Sequence, residues 1–84
     1  MNYDLQWHPT VQKFLRKLPR DIAQRIVSKA KELQEEPFRY LDHFAGEDCY
    51  KFRVGDYRFL VDVDQTKMLV FIRFGGHRKN VYKN

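Results

Sequence analysis

The basic side chains in the second half of the chain have types and spacings suited to binding a phosphate. Lys51 and Arg53 lie two residues apart in one alternating segment, and Arg58 and Arg73 occupy the two segments that follow. Because side chains alternate across a strand, these four share one face of the predicted sheet, opposite the apolar face. Several fixed cations around one phosphate would stabilise the charge that develops on it during a reaction.

The predicted register sets Arg53 opposite Arg58, and Arg58 opposite Arg73. Like charges in cross-strand positions are destabilising, which favours a concave anion site over a face kept only for solubility. The alternative is a solvated face whose counter-charges are the aspartates at the strand ends, Asp56, Asp62 and Asp64.

The C-terminal segment adds further candidates. Gly75 and Gly76 allow a sharp change of direction after the last predicted strand, and Arg78 and Tyr82 are four residues apart, so they would share one face of a helical turn. His77 is a possible acid or base, since an unperturbed imidazole titrates at about pH 6.5. Tyr82 could transfer a proton or stack on a base.

Hydrophobic periodicity predicts the elements that position these residues. Residues 2–7 alternate as a half-buried strand would. Apolar residues at helical spacing then predict one helix from Pro9 to Pro19 and a second that has Asp21 in its first turn and closes at Glu36-Pro37. Two amphipathic helices joined at a proline indicate an αα-hairpin.

Three strands are predicted after a loop over residues 37–48. Residues 49–54 and 57–63 flank Gly55-Asp56, which suits a type II′ hairpin turn, and residues 68–74 form the third strand. Pairing residues outward from each turn sets Val54 opposite Tyr57 in the first hairpin. In the second hairpin it sets Tyr57 opposite Phe74. We therefore predict an α+β fold: an N-terminal strand, an αα-hairpin, and a three-strand antiparallel meander that completes one sheet with the helices on one face.

Composition limits the class of protein. The 84 residues carry 16 Lys and Arg against 11 Asp and Glu, and the whole excess of +5 lies in residues 49–84, which suggests an anionic partner such as nucleic acid. The length predicts one domain, residues 1–84. The single Cys49 excludes an internal disulfide, and three scattered histidines predict no metal site. Without an apparent signal peptide or a long apolar run, we expect a soluble, cytoplasmic protein that needs no cofactor and binds no membrane.

The order of motifs resembles one known family. The segments Cys49–Val54 and Gly55–Arg58, followed by His77-Arg78 and Val81-Tyr82, look like the RelE-type toxins of the RelE/ParE superfamily, and more closely like archaeal-style members. The resemblance covers nearly the whole chain, since the family also begins with a strand and an αα-hairpin.

The resemblance implies a toxin of a type II toxin–antitoxin system: a metal-independent endoribonuclease that cuts mRNA in the ribosomal A site and is held inactive by a cognate antitoxin. It implies these catalytic residues: Lys51, Arg53, Arg58, Arg78 and Tyr82. The expected RNA-binding residues are Lys51, Arg53, Arg58, Arg73 and Lys79. Arginine stands at position 53, where the family pattern has a second lysine, and an arginine is effectively never deprotonated, so phosphate binding is its expected role.

Two other functions are also consistent with the sequence. A ParE-like inhibitor of DNA gyrase would share the fold without the ribonuclease residues, because fold alone does not separate functions. A non-catalytic RNA-binding module would use the basic face and Tyr82 for contacts only.

Overall fold

The computed structural model of the chain describes residues 2–77. They form a single five-stranded sheet, in the order β1-β5-β4-β3-β2, with helices on one face. The elements are β1 (Asp4–Trp7), α1 (Pro9–Arg16), α2 (Arg20–Lys31), a 3₁₀ turn (Glu32–Gln34), α3 (Pro37–Tyr40), β2 (Asp42–His43), β3 (Tyr50–Val54), β4 (Tyr57–Asp64) and β5 (Leu69–His77). The predicted α+β fold is confirmed, but α3 and β2 lie in the segment predicted to be a loop.

Two prolines set the limits of α1, the first helix of the αα-hairpin. Pro9 occupies the first turn of α1, and the His8 ring accepts a hydrogen bond from the Thr10 N–H at 3.1 Å, which caps the helix. The helix stops at Arg16, before Pro19, because a residue that precedes proline is disfavoured in the helical region. The hairpin carries the chain across the sheet after β1, which pairs in parallel with β5.

The core lies between this hairpin and one face of the sheet. Its fully buried centre joins helix and strand residues, and Phe14 of α1 adds an edge contact to the Phe59 ring, with centroids 6.5 Å apart. The buried cluster contains Val11, Ile26, Ala30, Leu33, Leu41, Phe52, Val54, Phe59, Val61, Val70 and Ile72. Since one sheet face is covered in this way, the other face is left for polar side chains.

The β3–β4 hairpin has the predicted register. Val54 pairs with Tyr57, and Arg53 lies directly opposite Arg58. Gly55 has φ +57° at the first turn position, and the φ of Asp56 at the second position is not positive. This combination fits the predicted type II′ turn.

The β4–β5 register was predicted incorrectly. Tyr57 pairs with His77 rather than with the predicted Phe74, and a β-bulge between Leu60 and Val61 contributes one residue of this shift. The strand also continues through both glycines to His77 instead of turning away after Phe74. The reason lies at Gly75, where a Cβ would collide with the ring of Phe59 across the strands, so a glycine is needed for β5 to continue.

Candidate functional site

The sheet face that points away from the helices carries the basic residues, and it is called the outer face below. Pairing across the strands arranges it in two rows. One row runs Asp42, Lys51, Leu60, Phe74, and the next runs Arg53, Arg58, Gly76. The first row mixes charged and apolar side chains, whereas the second sets two arginines side by side.

Three of the predicted site residues come together on this face. Lys51, Arg53 and Arg58 line a depression of about 90 Å³, with Asp42 as the fourth lining residue. Three cations against one carboxylate leave the depression positively charged, so it is suited to an anion. The facing pair Arg53 and Arg58 is the predicted one.

Arg58 is held in place by the hairpin turn. Its Nη1 donates to the Gly55 carbonyl at 2.8 Å and to the Tyr57 carbonyl at 3.3 Å. Both contacts use one nitrogen of a guanidinium that has five N–H donors, so the same side chain can hold the turn and bind a phosphate. A cation ordered in this way loses less conformational entropy on binding.

Lys51 lies beside the short strand that the sequence did not reveal. It pairs across the strands with Asp42, and its Nζ is 5.6 Å from the centroid of the Phe44 ring. A cation near an aromatic face is attracted to it electrostatically. The segment after α3 therefore forms one wall of the depression.

Arg73 does not lie where the sequence predicted. Arg58 faces Gly76 instead, and Arg73 is the extra residue at the bulge, where its Nε lies 3.6 Å from Asp62 Oδ2. Hydrogen bonding to the buried Cys49, together with the nearby charge of Asp62, raises the pKa of Arg73 although burial acts against it. Arg73 thus forms a separate cluster beyond the depression.

His77 is also separated from the three cations. It pairs across the strands with Tyr57, and the two rings meet edge to face with centroids 5.7 Å apart. Tyr57 contacts Phe14 of α1, which places this pair on the helix-facing side of the sheet. The predicted site residues Arg78, Lys79 and Tyr82 lie outside the described residues.

Sequence reasoning missed two residues of the outer face. Asp42 lies in a two-residue strand, which is too short to show any periodicity. Phe74 was predicted opposite Tyr57 in the core, but it pairs with Leu60 and is 45% exposed. A bulge leaves no reliable pattern in one sequence, since alternation on each side of it remains regular.

Among residues 2–77, no three His, Cys, Asp or Glu side chains are grouped to hold a metal ion. None of the helices between these residues is long and apolar enough to cross a membrane.

Comparison with known proteins identifies the family. The sequence model of the ParE toxin of type II toxin–antitoxin systems matches residues 5–81. The chain belongs to the ParE toxin family. It is thus a toxin of the RelE/ParE superfamily. A search of curated protein sequences finds no significant match to it.

Solved structures of RelE toxins share the fold of this ParE-family toxin. The toxin–antitoxin complex RelBE2 from Mycobacterium tuberculosis contains a chain that is 30% identical, with a TM-score of 0.84 over 93% of this chain and 100% of that one. The RelE–RelB complex from Pyrococcus horikoshii matches at 26% identity and TM-score 0.79, over 96% and 100% of the two chains. The E. coli RelBE complex matches at 28% identity and TM-score 0.75, over 89% and 95%.

Proposed function

We propose that this toxin is a metal-independent endoribonuclease that cuts mRNA on the ribosome. The observation that carries the proposal is the depression on the outer face, where Lys51, Arg53 and Arg58 converge with a single carboxylate, Asp42. Similarity to the RelE toxins supports the same assignment, since their fold is shared over nearly the whole chain.

The proposed reaction is an in-line attack of a 2′-hydroxyl on the adjacent phosphorus. A base removes the hydroxyl proton, the new O2′–P bond forms, and the P–O5′ bond breaks as an acid protonates the leaving oxygen. The products are a 2′,3′-cyclic phosphate and a free 5′-hydroxyl. Negative charge builds on the phosphate during the reaction, and Arg53 and Arg58 would stabilise it. Arg58 is already held in place by the hairpin turn before the substrate arrives.

Proton transfer is assigned to other residues. Arg53 and Arg58 stay protonated, so they serve as cations only. Lys51 would bind the phosphate or act as the base. Tyr82 would transfer a proton or stack on a base, and a positive charge on Arg78 would stabilise a phenolate. The roles of Lys51 and Tyr82 in proton transfer rest on the family resemblance.

The test is expression of the toxin alone in a bacterial host, followed by primer extension on ribosome-bound message. We expect growth arrest and new 5′ ends within translated codons. An Arg58→Ala, Arg78→Ala double variant should abolish both, whereas Arg25→Ala on the exposed surface of α2 should retain them. Full toxicity in the double variant would refute the assignment, and RNA binding without new 5′ ends would indicate a binding module.

Inhibition of DNA gyrase is a second candidate function. The observation that favours it is the family match itself, because the matching family is that of the ParE toxins. A supercoiling assay with purified gyrase separates the two functions. Trapping of gyrase by the toxin, with no cleavage of message, would replace the ribonuclease assignment.

A cognate antitoxin is the proposed partner. The similar structures from M. tuberculosis, P. horikoshii and E. coli are all toxin–antitoxin complexes. An acidic segment of such a partner would be attracted to the basic outer face. Co-expression with the product of the neighbouring reading frame should abolish the growth arrest, and the two proteins should copurify.

A further inference from the structure

Phe74 is a large apolar side chain that the core does not use. It is 45% exposed although it lies inside a nine-residue strand, whereas Ile72, two residues earlier, is completely buried. Regular alternation would place both residues on the same face. Their different burial therefore needs a local cause.

The cause is the bulge in β5. Ile72 pairs with Val61 and Phe74 pairs with Leu60. Between these two pairs, β5 moves on by two residues while β4 moves by one. The extra residue, Arg73, reverses the alternation and turns Phe74 onto the outer face. Bulges are common beside active sites, where they redirect a side chain.

The redirected ring lies next to the basic depression. Phe74 and Lys51 flank Leu60 in one cross-strand row, and Arg58 is the diagonal neighbour of Phe74. Diagonal neighbours in a sheet are about 7–8 Å apart, within reach of aromatic and long side chains. Gly76, which faces Arg58, has no side chain to separate the ring from the guanidinium.

We propose that Phe74, flanked by Leu60, is a stacking surface for one nucleobase of the RNA whose phosphate binds in the depression. A nucleotide joins one phosphate to one planar base, so a single nucleotide could contact two diagonal neighbours of a sheet such as Arg58 and Phe74. Base stacking on an exposed aromatic ring is sequence-tolerant, because every base has a π-face. The inference rests on the proposed function and adds a substrate-binding residue to it.

The test compares two single-stranded RNA oligomers, one complete and one abasic throughout, by fluorescence anisotropy. Both carry 2′-O-methyl groups, which block cleavage. The wild-type toxin should bind the complete oligomer more tightly. Phe74→Ala should lose that preference, with affinity for the complete oligomer falling on the order of ten-fold and affinity for the abasic one unchanged.

Two further variants make the comparison specific. Phe74→Trp should keep the preference, because it keeps an aromatic surface. Phe38→Ala should bind as wild type does, since Phe38 is equally exposed, at 43%, but contacts Tyr50 on the other side of the sheet. Equal losses for both oligomers in Phe74→Ala would overturn the inference, as would wild-type binding of both.

The same experiment separates this inference from the proposed function. If Lys51→Ala weakens binding of both oligomers while Phe74→Ala changes neither, the phosphate site stands and the stacking surface is refuted. If the toxin binds neither oligomer and cuts no message, both fail. If Phe74→Ala weakens only antitoxin binding, Phe74 belongs to the antitoxin interface and the inference is wrong.

Discussion

Replacing Arg53 by glutamine should make the protein more stable while it weakens the proposed activity. Arg53 and Arg58 are directly opposite in the hairpin, where like charges repel. If the guanidinium groups are roughly 6 Å apart, slightly more than the Cβ separation of such a pair, two unit charges in water repel by about 0.7 kcal/mol. Removing one of them should raise the free energy of unfolding by about that amount at low salt.

The assay is urea and thermal unfolding at several ionic strengths. A gain of about 0.7 kcal/mol corresponds to roughly 3–6 °C in Tm for a domain of this size. The gain should decline as salt rises, since the screening length falls to about 3 Å at 1 M. Arg53→Lys is the matched control, because it keeps the charge and should gain nothing. If the glutamine and lysine variants are equally stable at low salt, repulsion across this pair is not a significant cost.

Three other substitutions test the fold around the site. Gly75→Ala should reduce the free energy of unfolding by about 1–3 kcal/mol, because the new methyl group would overlap the buried ring of Phe59; a second substitution, Phe59→Leu, should recover part of that loss in a double-mutant cycle. Arg73→Ala should speed the reaction of Cys49 with a thiol reagent without unfolding the protein, since it removes the side chain that hydrogen-bonds to this buried thiol. An unchanged rate would show that Arg73 does not shield Cys49. His8→Ala should cost about 0.5–2 kcal/mol in urea unfolding through loss of the helix cap, whereas His8→Asn should restore most of it; equal stability of the two variants would show that the cap is unimportant.

Proximity of Arg53 and Arg58 could be predicted because it depends on local contacts. A two-residue turn at Gly55-Asp56 sets the register of the strands on either side of it, so pairing of these arginines follows from counting. The αα-hairpin was predictable for the same reason, since prolines and apolar spacing act within a few residues. The family resemblance and its site residues likewise depended on motifs that are short in sequence.

The second hairpin could not be derived in this way. Its turn has four residues, and Met68 in that turn adopts φ +53°. The alternation of polar and apolar residues along the strands does not predict this left-handed conformation. The bulge then decides which side of the sheet each residue of β5 faces, which moves Arg73 away from Arg58 and exposes Phe74. Such choices depend on packing between strands that are distant in the chain.

The sequence by itself determined that a small basic α+β domain has three cations on one side of a hairpin. The tertiary structure alone decided what surrounds them: Asp42 on the strand after α3, Gly76 opposite Arg58, and the ring of Phe74 beside them. The physical reason is steric. The buried Phe59 ring excludes a side chain at Gly75, and the register that satisfies this contact brings an exposed aromatic ring beside the three cations.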